Sequence, residues 1–175
     1  MLDYLVVYAS ESGNTEQIAN EIYSVLPSSS KKIMNVRDWN GRYEADTYFI
    51  GFWANRGTCS LEIIDLISSL KYKNAAFFGT CGMGNTDDYY KGIENSALAW
   101  LADSNYYLGS YFCQGKMPSV IRDKYEACRG KCEPYLLDAM IKIYEEGQKH
   151  PDKQDLLKAN VFVHDALSRV PENVS

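Results

Sequence analysis

Residues 10–15, Ser-Glu-Ser-Gly-Asn-Thr, constrain this chain more than any other stretch. They follow residues 3–9, DYLVVYA, an apolar run that reads as a buried parallel strand. They precede residues 16–26, EQIANEIYSVL, where Ile18, Ala19, Ile22, Val25 and Leu26 fall on one helical face. The stretch is therefore a polar turn from strand to helix. A helix starts with N–H groups that have no partner within it and with a partial positive charge. Hydroxyls, a glycine and an amide gathered at that point suit a phosphate. The same residue types also serve as plain N-caps, so the loop alone leaves a ligand-free turn open.

The rest of the chain repeats the alternation. Strands are expected at 31–36, 45–52, 73–79 and 105–113. Helices are expected at 62–70, capped by Ser60, at 87–102, and at roughly 119–129, 134–147 and 152–168. Strands that alternate with helices imply an α/β fold with a parallel sheet covered on both faces and right-handed crossovers. The length suits one domain over 1–175. The half-polar run at Lys31 and Lys32 suits a sheet edge. In such sheets ligands bind beyond the carboxyl ends of the strands. Three unusual loops are expected there: 10–15, the Trp53–Thr58 loop, and the glycine-rich 80–86 loop rimmed by Tyr89 and Tyr90. The first would hold a phosphate, and the other two could clasp a planar ring. Trp53 equally suits a core position at a strand end, and Gly82 with Gly84 an ordinary turn.

Composition narrows the function classes. A net charge of −5 without a basic run gives no reason to expect nucleic acid or an anionic membrane surface as partner. No apolar stretch reaches membrane-spanning length, and Met1–Tyr4 lacks the basic region of a signal peptide, so a cytoplasmic location is expected. Five cysteines, an odd number, fit reduced thiols there. Cys128 and Cys132 are expected to share a helical face, and with no second pair or nearby histidine no metal site is expected. Cys81 reads as a small packed residue, since no Cys-x-x-Cys is present. Gly109 to Lys116 has one residue too many for a P-loop, and Met117 stands where Ser or Thr would hold Mg²⁺. A phospho-receiver needs acidic residues at its strand ends, whereas the first strand ends in Ala9 and Ser10.

Ser10–Thr15 resembles the phosphate loop of flavodoxins, which commonly runs T/S-x-T/S-G-N/x-T after the first strand. Trp53 resembles the aromatic that flanks the flavin of many flavodoxins, and Thr80–Gly84 with Tyr89 resembles their second flavin-gripping loop. The resemblance covers about residues 1–113. It implies a five-stranded parallel sheet of order 2-1-3-4-5 with helices on both faces, and FMN bound non-covalently. By this resemblance Ser10, Ser12, Asn14 and Thr15 would bond the FMN phosphate, with Glu11 in the same loop and Gly13 permitting close approach. Trp53 would pack on one face of the ring. Ala54, Asn55, Arg56 and Gly57 would form the loop that edges it. Thr80, Cys81 and Gly82 would bond its pyrimidine edge through backbone groups, with Met83 and Gly84 completing that loop. Tyr89, or alternatively Tyr90, would cover the outer face.

Two departures stand out. Flavodoxins usually surround the ring with acidic residues, whereas Arg56 brings a cation, which would either ease the last reduction of FMN or face an acidic partner. The chain also continues well past the fifth strand, with an extra helical segment at about 118–150. Trp53-x-x-Arg-Gly57, Phe78-Gly-Thr80, Cys113–Lys116 and His150-Pro151 resemble a flavodoxin-like subgroup that includes proteins associated with bilirubin reductase in anaerobic bacteria. The family resemblance implies an electron-transfer protein that passes electrons to a partner oxidoreductase, without catalytic residues of its own. The alternative is an FMN-dependent reductase acting directly on NAD(P)H or a small acceptor; a scaffold that has lost FMN is a third class. The lack of a G-x-G-x-x-G after a strand favours the carrier, and the long helical extension favours the enzyme.

Overall fold

The computed structural model describes residues 1–84 and 86–171; Asn85, within the expected 80–86 loop, and the end of the expected 1–175 domain lie outside the described residues. The strands are β1 (Leu2–Tyr8), β2 (Lys31–Asn35), β3 (Ala45–Trp53), β4 (Asn74–Cys81) and β5 (Tyr106–Gln114). The helices are α1 (Asn14–Val25), α2 (Leu61–Ser69), α3 (Asp87–Leu98), α4 (Ser119–Ala127), α5 (Pro134–Gly147) and α6 (Lys153–Ser168). The strands form one parallel sheet of order β2-β1-β3-β4-β5.

The strands at the centre of this sheet are apolar at consecutive positions because both of their faces are covered. Val6, Phe49 and Phe78 point to one side and pack with Ile18 and Ile22 of α1 and with Phe162 and Val163 of α6. Leu5, Val7, Ile50 and Phe77 point to the other side, against Ile63, Leu66 and Ile67 of α2 and Ile93 of α3. β2 is the half-buried edge. Its Lys31 Nζ donates to the carbonyls of Tyr23 and Leu26, at 2.7 Å each, so this edge lysine also closes the C-terminus of α1.

Several boundaries differ from those expected. α1 begins at Asn14 because Gly13, at φ +84°, is its N-cap. β3 and β4 run further than the residue pattern indicates, so Trp53, Thr80 and Cys81 are strand residues. The ladder continues past them through Ala54 N–H to Thr80 O (2.9 Å) and Gly115 N–H to Cys81 O (3.1 Å). α3 stops at Leu98, and tighter bonds, Trp100 N–H to Ala97 O and Leu101 N–H to Leu98 O, wind the next residues. Cys128 and Cys132 do not share a helix. Cys128 caps the C-terminus of α4, and Gly130 at φ +81° turns the chain toward α5. All five cysteines are free. α4 buries no residue, whereas α5 buries Leu137, Ile141 and Gly147. Among the described residues no helix is long and apolar enough to cross a membrane.

Candidate functional site

A cavity of about 600 Å³ lies at the carboxyl end of the sheet. It is bordered by the β1–α1, β3–α2 and β4–α3 loops and by a fourth segment, the β5–α4 loop.

The β1–α1 loop supplies a polar end. Gly13 takes a left-handed φ that other residues adopt at a cost, and no side chain caps α1. The N–H groups of the first turn therefore remain available. Ser10 Oγ accepts from Gly13 N–H at 3.1 Å. Asn14 is nearly buried, and its Nδ2 donates to Ser12 Oγ and to Lys116 O, at 2.9 Å each. Thr15 is buried, with its hydroxyl 2.9 Å from that of Thr80. The amide of Asn14 and the hydroxyl of Thr15 thus brace the loop from within. Glu11, Ser12 and Asn14 border the cavity, while Ser10 and Asn55 border a smaller neighbouring pocket of about 220 Å³.

Trp53 ends β3 between the two pockets. Asn55 and Thr58 then pair across a two-residue turn, with Asn55 N–H to Thr58 O at 2.8 Å and Thr58 N–H to Asn55 O at 3.2 Å. Arg56 (φ +53°) and Gly57 (φ +85°) occupy its centre, as a type I′ turn requires. Ala54, Arg56 and Gly57 border the cavity.

Thr80, Cys81, Gly82 and Met83 border it from β4 and its loop. Burial pushes the Cys81 thiol up to about 12 and also raises the Tyr89 phenol. Gly84, at φ +148°, lies against Tyr89, where an added Cβ would sit 3.0 Å from Cδ1. The adjacent tyrosines separate cleanly. Tyr89 borders the cavity, whereas Tyr90 stacks on Phe112 with ring centroids 6.2 Å apart.

The β5–α4 wall was not expected from the sequence. Lys116, Met117, Pro118 and Ile121 border the cavity. Gly115 is buried, and a Cβ there would lie 2.8 Å from Asn14 Nδ2. Met117 packs on Gly82, its carbonyl accepts from Gln148 Nε2 at 2.9 Å, and Tyr125 Oη lies 2.8 Å from Met83 Sδ. The helical segment after β5 is thereby joined to two of the other loops. The available signal was Gly115-Lys116 at the carboxyl end of a strand, the same position that marked the other loops.

A family model described as Flavodoxin domain matches residues 5–164. The chain belongs to the flavodoxin family. It is 29% identical over 167 residues to the flavodoxin-like domain-containing protein BilS of Clostridioides difficile (strain CD3), across 93% of this chain and 95% of that protein. It is 28% identical over 193 residues to the BilS of Clostridium symbiosum (strain WAL-14163), across 97% of each chain. These relatives match the subgroup that the sequence resembles. Among solved structures, a flavodoxin of Streptococcus pneumonia TIGR4 superposes with a TM-score of 0.60 at 13% identity, across 95% of this chain and 99% of that one. A flavodoxin from the domain Archaea gives 0.53 at 14% identity, across 95% and 97%. At such identities these two show the fold.

FMN is the cofactor of this flavodoxin-family chain, and the residues present fit it. The cavity is in the size range of small-molecule sites. An uncapped helix N-terminus at one end suits the phosphate. Trp53 and Tyr89 offer aromatic surface for the ring.

Proposed function

We propose that this chain is an electron carrier that uses FMN to pass electrons to a partner oxidoreductase. Bound FMN supplies the redox chemistry, and the protein supplies position and electrostatics. Ser10–Thr15 and the start of α1 hold the phosphate, Trp53 and Tyr89 flank the ring, and the loops at 54–57 and 80–84 set its edges. Arg56 and Lys116 border the cavity as cations and favour negative charge gained within it.

One observation carries the choice of carrier: the flavodoxin-domain match runs across residues 5–164, over a cavity with an uncapped helix N-terminus at one end and Trp53 and Tyr89 on its lining. Five free cysteines support a reducing, cytoplasmic setting.

A second reading, an FMN-dependent reductase, draws on the extra wall that Met117, Pro118 and Ile121 add to the cavity. Stopped-flow mixing of oxidised holoprotein with NADH or NADPH separates the two. A carrier is bleached only slowly. Rapid, saturable bleaching would overturn the carrier and establish the reductase.

A further inference from the structure

We infer that Lys116 is the counter-charge for the phosphate end of the cofactor site. The inference rests on the FMN reading above and adds a binding residue that the β1–α1 loop does not contain.

That loop, Ser10–Thr15, has no cation and does have the Glu11 carboxylate, which borders the same cavity. A phosphate monoester carries between one and two negative charges at neutral pH. The helix terminus opposes it with roughly half a positive charge. Glu11 and the phosphate together exceed what the terminus offers, so a cation from elsewhere in the fold would complete the site.

Lys116 is in position to supply it. Its carbonyl accepts from the Nδ2 of Asn14, the first residue of α1, at 2.9 Å. Gly115, just before it, abuts the same amide so closely that a Cβ would sit 2.8 Å away. The backbone at 115–116 therefore lies directly against the start of the helix. Lys116 itself borders the cavity as an exposed residue, and among the described residues it enters no ion pair. Arg56, the other cation on the lining, comes instead from the β3–α2 turn.

The route to this lysine is not a P-loop. Gly109 and the residues up to Gln114 are strand, so no glycine-rich loop wraps an anion there. The backbone of Lys116 lies at the phosphate end because β5 ends at Gln114 and the chain then passes the start of α1.

The test compares FMN with riboflavin, which has the same ring and no phosphate. Affinities of wild type, Lys116→Gln and Lys116→Arg for both ligands are measured by flavin fluorescence quenching. Ionic strength is set near 10 mM and near 1 M, where the screening length falls from ~30 Å to ~3 Å. The expected result is an FMN Kd about tenfold higher in Lys116→Gln at low salt, a difference that shrinks at high salt. Riboflavin affinity stays unchanged, and Lys116→Arg keeps FMN affinity near wild type. Equal weakening of FMN and riboflavin would mean that Lys116 acts on loop shape, and would overturn the inference. Unchanged FMN affinity in Lys116→Gln would overturn it as well. A wild-type protein that binds neither flavin would instead overturn the cofactor reading beneath it.

Discussion

The packing of Gly115 on Asn14 is a tight joint in the site, and it yields a double-mutant prediction. Asn14→Ala removes two hydrogen bonds, to Ser12 Oγ and Lys116 O. At about 1 kcal/mol each it should cost about 2 kcal/mol of stability. Gly115→Ala attacks the same joint from the other side. Its new Cβ would lie 2.8 Å from Asn14 Nδ2, 3.1 Å from Asn14 Cγ and 3.1 Å from Thr80 Cβ. The backbone cannot easily slide away, because Gly115 N–H is bonded to Cys81 O. The Asn14 amide must swing out and give up both bonds. That loss, less ~0.4–1 kcal/mol from the smaller unfolded-state entropy of alanine, leaves about 1–1.5 kcal/mol. In the double variant the clash with the amide has vanished, so Gly115→Ala should cost little beyond its contact with Thr80. The predicted coupling is about 1.5 kcal/mol, and FMN binding should weaken in both single variants. The assay is urea denaturation of the apoprotein in all four forms, with slopes compared to confirm a common unfolding transition. Costs that add to within about 0.5 kcal/mol would refute the shared joint.

Four further outcomes are expected. Arg56→Asn should stabilise the fold by roughly 0.5–1 kcal/mol in the same denaturation assay, because Asn-Gly suits a type I′ turn. Arg56→Gln should make the final reduction of FMN more negative, by about 40 mV for each ~1 kcal/mol of attraction lost, and an unchanged potential on spectroelectrochemical titration would remove this role. Tyr89→Leu should weaken FMN binding with little loss of stability, whereas Tyr90→Leu should cost about 1–2 kcal/mol through its ring contact with Phe112, as denaturation and quenching titrations would show. His150 is held above its usual 6.5: burial works to lower it, but the hydrogen bond and charge of Asp155, 2.6 Å away, outweigh burial. A raised folded value means this stabilisation is fully present below pH 6.5 and fades as pH rises through the folded value, so His150→Gln should flatten a stability profile measured upward from pH 6.5.

Much of the architecture is legible in the residue pattern because hydrophobic period is a local signal. The runs at 3–9 and 45–52 are continuous and apolar, as buried parallel strands must be, and the 10–15 loop stands between a clear strand and a clear helix. The sheet order comes from family resemblance, since local pattern does not say which strands are neighbours. Strand ends are less legible. Thr80 and Cys81 look like the start of a glycine-rich loop, yet ladder bonds to Ala54 and Gly115 extend the sheet through them. Cys128 and Cys132 have helical spacing, but Gly130 between them takes a left-handed φ and turns the chain. The fourth wall of the cavity was hidden for a different reason. Lys116 and Ile121 join the site through contacts between segments far apart in the chain, Asn14 Nδ2 to Lys116 O and Gln148 Nε2 to Met117 O, which are tertiary facts without a period in sequence.

The seat of α5 has a consequence for how freely this region can diverge. A side chain at Gly147 would meet the carbonyls of Gly115 and Gly82, at 3.3 and 3.7 Å, and Gln148 bonds the carbonyl of Met117. Each of these partners is a main-chain atom, which every residue type possesses. At these contacts the extension grips the shape of the neighbouring loops rather than their side chains. Side chains enter at other points, where Tyr125 Oη meets Met83 Sδ and Met117 packs on Gly82. On α5 itself the demanding position is Gly147, where an added Cβ would lie 3.3 Å from the carbonyl oxygen of Gly115.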